Sequence, residues 1–192
     1  MLLSLQKFSV LNIAILLPAL CAALAVTVAA QNRPVVPRLG VPTFQHLTRN
    51  SGYIFSGTVK SVSMLEPDSL NSVGSIKITF HVENAVRGVR KGQMLVVREW
   101  AGLWESGGES GEHYRVGERV ALFLFRPGKL GLTSPVGGAL GRFEVDPYGH
   151  VLLNRGHVAA ISADPVLADR WHGRSRLTWK ELSNGIRRES QE

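Results

Sequence analysis

The chemically richest part of the chain is a glycine-rich segment between residues 101 and 114. It contains an indole ring, three carboxylates and an imidazole, carried by Trp104, Glu105, Glu109, Glu112 and His113. Carboxylate oxygens suit divalent cations, and an exposed indole ring can stack on a sugar or a base. The segment lacks the D-x-D-x-D-G spacing that is typical of a calcium-binding loop. We therefore favour a solvated acidic loop, with ligand contact by these five residues as the alternative.

The remaining candidates for chemistry are scattered along the chain. No two of the six histidines have the H-x-x-x-H spacing of zinc ligands. The sequence also lacks a G-x-S-x-G nucleophile elbow, a phosphate-binding loop and a dinucleotide fingerprint. We therefore expect no catalytic residue, no metal site and no cofactor. An enzyme, such as a hydrolase of envelope polymers, would require carboxylates or histidines to converge in a cleft.

The C-terminal region is rich in basic residues that alternate with aromatic ones. Arg170, Arg174 and Arg176 lie close to Trp171 and His172 in the sequence, and such a pattern could contact an anionic partner. The alternative is that a terminal helix packs its apolar side on the domain and leaves its charges in water. We favour that alternative.

The N-terminal 30 residues have the three parts of a secretory signal. They carry one basic residue, Lys7, and no acidic residue, and an apolar run extends from position 8 to position 30. Small side chains at Val28 and Ala30 suit signal peptidase, so cleavage is expected between Ala30 and Gln31. The run is also long enough to remain as an inner-membrane anchor, which is the alternative. The sequence thus predicts an exported protein, periplasmic or secreted.

Removal of the signal has two chemical consequences. It takes away Cys21, the only cysteine, and so excludes disulfides and thiolate chemistry from the mature chain. It also removes Lys7, which lowers the formal net charge from +7 to +6. A small exported domain without disulfides is typical of a bacterial envelope protein. The modest basic excess would suit anionic envelope polymers or lipid headgroups, but it is also a common solubility feature, which we favour. The candidate partners are an envelope protein and an anionic envelope polymer.

The elements that must position these residues are mostly short strands. A proline-rich linker is expected over residues 31–42, and a short helix over 43–50, with Thr43 as its N-cap. A T-x-x-E capping box at Thr178 begins an amphipathic helix over 178–188. Period-two patterns and turn residues predict strands over residues 53–62, 75–83, 93–100 and 119–125, and a hairpin made by 141–145 and 150–154.

These strands predict a mainly β fold, a small antiparallel barrel that is closed or nearly closed. A flat sandwich is the alternative. The strand over residues 119–125 is apolar on both faces and is expected at the centre, and Trp100 is expected to cap the barrel core. The predicted organisation is a helical signal sequence (1–30), a linker (31–42), a barrel domain (43–154) and a C-terminal extension with the terminal helix (155–192).

Four strand segments carry a resemblance to a known group. They are Phe55-Ser56-Gly57-Thr58-Val59-Lys60-Ser61-Val62, residues 78–88 (ITFHVENAVRG), residues 114–120 (YRVGERV) and Gly141-Arg142-Phe143-Glu144-Val145. This pattern resembles uncharacterised exported bacterial proteins whose domain is similar to the OB-like barrel of netrin modules and tissue inhibitors of metalloproteinases. The resemblance spans residues 53–154. It implies an OB-like barrel and says almost nothing about activity.

The chain departs from those inhibitors at the site of their action. They chelate the protease zinc through an N-terminal cysteine, and the mature chain has none, so inhibition by that route is excluded and no functional residue is carried over. The favoured function is a non-catalytic exported domain that binds a protein or envelope component. The alternatives are an envelope-polymer hydrolase and a single-stranded nucleic-acid binder. The last is disfavoured by export and by the lack of a basic and aromatic stripe along one strand.

Overall fold

The computed structural model describes residues 42–67, 73–102 and 113–190. The predicted signal sequence, its cleavage site at Ala30 and Gln31, and all of the linker except Pro42 lie outside the described residues. Within them, three α-helices accompany seven strands in two antiparallel sheets, so the fold is mainly β as predicted. The elements are α1 (Phe44–Asn50), β1 (Tyr53–Leu65), β2 (Ser75–Arg87), β3 (Met94–Trp100), β4 (Arg119–Leu124), a 3₁₀ turn (Gly138–Gly141), β5 (Arg142–Glu144), β6 (His150–Leu152), α2 (Arg155–Ser162), β7 (Arg176–Thr178) and α3 (Trp179–Glu189).

The larger sheet has the strand order β3-β2-β1-β4-β5, with β1 at its centre. β1 pairs antiparallel with β2 on one side and with β4 on the other. Gly57 allows β2 to approach closely, because a Cβ at this position would collide with the carbonyl oxygen of His81. A register shift next to Gly57 marks a β-bulge. Glycine is therefore the residue that fits this point of the pairing between β1 and β2.

The prediction was an antiparallel barrel that is closed or nearly closed. A closed barrel is wrong, because β3 and β5 are the two edges of an open sheet in the described part of the chain. One backbone hydrogen bond, from Thr133 N–H to the carbonyl of Arg98 (2.8 Å), connects β3 to the segment that follows β4. That segment pairs with β4 only through an isolated bridge between Leu124 and Pro135. Proline has no N–H to donate, so it cannot extend a ladder of strand hydrogen bonds.

The larger sheet has an apolar core on each face. The core on the face away from the helices, which we call the inner core, joins the inward residues of β1 to β4, among them Phe55, Phe80 and Leu122. The helix-side core covers the opposite face of β1 and β4, where Ile54 and Phe123 contact the helices. β4 is thus buried on both faces, as its sequence predicted.

The C-terminal segment supplies much of the helix-side core. α2, β7, α3 and the turn between α2 and β7 contribute a set of fully or nearly fully buried apolar side chains. These are Ile161, Leu167, Trp171, Leu177, Leu182 and Ile186. Phe44 of α1 packs edge-on against Trp171, with the ring centroids 5.3 Å apart. Residues 155–190 therefore share a core with the larger sheet.

The predicted hairpin between residues 141 and 154 is only partly present. Its tight turn is confirmed, since Gly149 N–H bonds the carbonyl of Asp146 and Asp146 N–H bonds that of His150. Beyond the turn, however, β5 and β6 meet only at a bridge between Val145 and Val151. The two strands diverge because β5 pairs with β4 and β6 pairs with β7. The sequence analysis missed β7 and α2.

The predicted terminal helix is confirmed. The Thr178 side chain accepts a hydrogen bond from Glu181 N–H, and the Glu181 carboxylate accepts one from Thr178 N–H. This capping box satisfies backbone donors that an open helix end would leave without partners. Leu182 and Ile186 are fully buried, and Trp179 packs against the same core.

Candidate functional site

The acidic loop, for which ligand contact is the alternative to a solvated loop, is only marginally covered by the structure. Trp104, Glu105, Glu109 and Glu112 lie outside the described residues, whereas His113 is exposed. The backbone carbonyl of His113 accepts a hydrogen bond from Arg142 Nη2 at 3.3 Å. Ligand contact by this loop stays a prediction.

The three predicted anion contacts, Arg170, Arg174 and Arg176, are all exposed. Arg174 forms an ion pair with Glu181 at 3.0 Å, at the start of α3. The aromatic residue between them in the sequence, Trp171, is only 3% exposed and belongs to the helix-side core. Trp171 is therefore not available to a partner at this surface, and contact of the three arginines with an anionic partner stays the alternative that the sequence left open.

The structure reveals a polar group, partly buried at Glu118 and Arg142 and buried at Glu99 and Tyr114, that the sequence analysis missed. We call it the Tyr114 cluster, and it consists of Glu99, Tyr114, Glu118 and Arg142. The Tyr114 hydroxyl donates to Glu99 Oε1 at 3.2 Å. The Arg142 guanidinium lies 4.7 Å above the centroid of the Tyr114 ring and donates to Glu118 Oε1 at 2.6 Å. The cluster ties β3 and β5 to the segment before β4.

The position of Glu99 follows from the alternation of β3. Leu95, Val97 and Glu99 point to the same buried face, where Glu99 is only 4% exposed. A buried carboxylate lowers the stability of the fold unless it is hydrogen-bonded. A glutamate at an inward position of β3 therefore requires a hydrogen-bond donor nearby. The signal was available in the sequence, because a glutamate in phase with two core residues predicts a buried polar partner.

The electrostatics of the cluster keep the tyrosine protonated. Burial, helped by the nearby Glu99 carboxylate, raises the pKa of Tyr114 well above its ordinary value, and Arg142 opposes this effect. The phenol therefore remains a donor to Glu99 at neutral pH. These contacts favour a structural role in covering one end of the inner core.

A second ion pair lies on the outward side of β2. Glu83 Oε2 is 2.7 Å from Arg119 Nη2, and Glu83 Oε1 accepts from the Thr58 hydroxyl at 2.6 Å. Partial burial raises the pKa of Glu83, but the hydrogen bonds from Thr58 and Arg119 outweigh it and lower the pKa overall. The Glu83 carboxylate is thus ionised at neutral pH, and the positive charge of Arg119 balances its negative charge.

The most unusual exposed surface is the outward side of β3. We call it the β3 face, and it consists of Met94, Val96, Arg98 and Trp100 with Lys77 of β2 beside them. Met94 is 54% exposed, Val96 is 53% exposed and Trp100 is 49% exposed. The expectation that Trp100 caps the barrel core is wrong, because Leu95, Val97 and Glu99 occupy the inward positions and so turn residue 100 outward.

Specific contacts hold the side chains of the β3 face. The Arg98 guanidinium donates to Ser75 Oγ, at 3.0 Å from Nη2 and 3.3 Å from Nε. Lys77 is paired with Arg98 across the two strands, which places two cations side by side. The Trp100 ring lies against Gly102, where an added Cβ would come within 2.5 Å of the ring.

The turn between β2 and β3 extends the basic character of this surface. It forms a shallow depression of about 350 Å³ lined by Arg90, Lys91, Gly92 and Gln93. Gly92 has a φ of 80°, a left-handed conformation that glycine adopts without strain. Both cations of the turn are exposed.

Neither a metal site nor a membrane span is evident in the described part of the chain. No three histidine, cysteine or acidic side chains come together there as metal ligands would. None of its helices has the length and apolar composition needed to cross a bilayer.

Comparison with known proteins gives no relative. No family model matches the chain, and neither the curated proteins nor the solved structures include a significant match.

Proposed function

We propose that this chain is an exported, non-catalytic binding module whose β3 face contacts an anionic, partly apolar component of the cell envelope. The observation that carries the proposal is the half-exposure of Met94, Val96 and Trp100 on one strand. Export is supported by the signal-like N-terminus of the sequence.

The β3 face differs from what an antiparallel sheet normally presents to water. Outward positions are usually polar where one face of a sheet is solvated, and Lys77, Thr79 and His81 of β2 follow that rule. β3 does not, because three of its four outward side chains are apolar. A contiguous exposed apolar patch with a polar rim is typical of an interaction surface.

An OB-like arrangement is part of the same proposal. It is supported by the consecutive pairing of β1, β2 and β3, by the pairing of β1 with β4, and by the hydrogen bond between Thr133 and Arg98. Such folds are partly open five-stranded barrels that present the outer side of two strands to ligands.

The partners of two carboxylates, the buried Glu99 and the partly buried Glu118, support a non-catalytic role over hydrolysis. Glu99 is hydrogen-bonded by Tyr114, and Glu118 is paired with Arg142, so each carboxylate already has a partner within the protein. A hydrolase would need a general acid and a base facing a cleft.

Affinity capture from bacterial envelope extract tests the proposal. The bait is the chain that begins at Gln31, which contains both cores, and it is compared with a triple β3-face variant. A matched control removes three exposed apolar side chains elsewhere on the surface. The β3-face variant is Met94→Ser with Val96→Ser and Trp100→Ser, and the control is Val116→Ser with Leu130→Ser and Tyr148→Ser.

We expect the native chain and the control to retain the same envelope component and the β3-face variant to lose it. Far-ultraviolet circular dichroism confirms that all three baits are folded. Equal capture by the native chain and the β3-face variant would contradict the proposal, as would recovery of nothing by the native chain.

A further inference from the structure

We propose that the β3 face binds the surface of an anionic lipid bilayer. This inference rests on the proposed function and names the envelope component. Met94 and Val96 supply aliphatic side chains that can enter the boundary between headgroups and acyl chains. Trp100 supplies an indole, the ring that concentrates at membrane–water interfaces. All three project from an edge strand of the larger sheet.

The cations of this surface are complementary to anionic headgroups. Arg98 and Lys77 lie within the β3 face, next to the apolar side chains. Arg90 and Lys91 line the depression at the end of the same hairpin. Basic side chains beside an interfacial apolar patch strengthen binding to anionic lipids, and the attraction is screened by salt.

The acidic residues of β2 and β3 do not oppose this charge. Glu99 points inward and is hydrogen-bonded by Tyr114. Glu83 is compensated by Arg119. The outward side of the two strands is therefore net positive, while its apolar groups remain accessible.

Other occupants fit this surface less well. A second copy of the chain would bring Lys77 and Arg98 against like charges across a symmetric interface. Single-stranded nucleic acids are bound by successive aromatic platforms, and this strand has one indole beside two aliphatic side chains. A lipid surface fits better, because its acyl region can receive the apolar side chains of the β3 face and its anionic headgroups can pair with Lys77 and Arg98.

Vesicle flotation with the chain that begins at Gln31 tests the inference. Vesicles of phosphatidylglycerol and phosphatidylcholine are compared with vesicles of phosphatidylcholine alone, at low and high salt. We expect binding only to the anionic vesicles, with affinity that falls as salt rises. The triple β3-face variant should bind about tenfold or more weakly, because three apolar side chains no longer enter the interface. Arg98→Gln should weaken binding about fivefold.

The outcomes separate this inference from the proposed function. Loss of binding in the β3-face variant, with full binding by the Val116, Leu130 and Tyr148 control, supports lipid contact. Equal binding by the native chain and the β3-face variant overturns it, as does a native chain that ignores anionic vesicles. If the native chain ignores vesicles and still captures an extract component through the β3 face, the inference fails and the proposed function stands. If neither assay depends on the β3 face, both fail.

Discussion

Glu99 and Trp100 are neighbours in the chain and lie in opposite environments. Glu99 is 4% exposed and hydrogen-bonded by Tyr114, while Trp100 is 49% exposed. The side-chain alternation of a strand forces this separation, because successive residues point to opposite faces. Glutamate is usually exposed and tryptophan is usually largely buried, so both residues lie in the environment opposite to their usual one. The buried Glu99 belongs to the Tyr114 cluster, and the exposed Trp100 belongs to the β3 face. These two unusual environments thus identify the polar cluster and the exposed face.

His157 is a second residue whose environment sets its chemistry. It is buried, and its ring stacks on Phe143 with the centroids 3.8 Å apart. Its Nδ1 accepts a hydrogen bond from Asn154 N–H at 3.1 Å, which requires the neutral ring to carry its proton on Nε2. Burial lowers the pKa of His157 from 6.5 to about 4, against a smaller opposing effect of the backbone at Ala139.

We predict that His157 makes the protein acid-sensitive. Between pH 6.5 and pH 4 the unfolded chain binds a proton at this position and the folded chain does not, so stability falls as the pH falls through that window. The contribution of His157 is fully present above pH 6.5, and its loss amounts to about 3 kcal/mol once the pH reaches 4. The measurement is the free energy of unfolding by urea at pH 7 and at pH 4.5.

His157→Gln should be less stable at pH 7 and should lose much of the difference between the two pH values. His172 is exposed, so His172→Gln is the matched control and should retain the native difference. An unchanged pH difference in His157→Gln would show that other groups cause the acid sensitivity.

At the scale of elements, two helices begin with capping boxes, and only one was predicted. α3 begins with Thr178 and has Glu181 at its third position, the usual pattern for this motif. α2 begins with Asn154 and uses His157 in place of the glutamate. The element was missed because imidazole is not the usual partner, and because a glycine and two β-branched residues lower the helix propensity of its sequence.

We predict that the Thr178 cap contributes measurably to stability. Thr178→Ala removes the acceptor for Glu181 N–H, so it should lower the free energy of unfolding by about 1 kcal/mol. Thr178→Ser keeps the hydroxyl and should lose less than half of that. Urea denaturation at pH 7 measures both variants. If alanine and serine proved equally destabilising, the loss would lie in strand β7, where Thr178 pairs with His150, and the cap would contribute little.

At the scale of the whole molecule, the helix-side core joins distant parts of the chain. Phe44 of α1, Phe123 of β4 and Ile186 of α3 belong to one cluster of buried residues. The larger sheet alone would expose its helix-side face to water. The helices are therefore required to bury that face, whereas the opposite face of the sheet is buried in the inner core.

We predict that a chain ending at Asn154 does not fold cooperatively. It would lack the C-terminal apolar side chains that cover Phe123 and Phe143. Each buried large apolar side chain contributes about 1.5–3 kcal/mol, and several together exceed a total stability of roughly 5–15 kcal/mol. The measurement is thermal unfolding followed by circular dichroism. A chain ending at Ser190 is the control and should melt like the native protein, and a sharp transition in the shorter chain would contradict a shared core.

The sequence by itself determined the elements whose signals lie within a few residues. Alternation identified β2 and β3, a two-sided apolar run identified β4, and the T-x-x-E motif located the start of α3, since each of these signals comes from neighbours in the chain. Only the tertiary structure decided the pairing of β6 with β7, the position of β3 and β5 as the two edges of the larger sheet, and the approach of Tyr114 to Glu99 and of Arg142 to Tyr114. Those outcomes depend on contacts between residues far apart in sequence. Local patterns allow several strand partners equally well, and only the packing of the whole chain selects one of them.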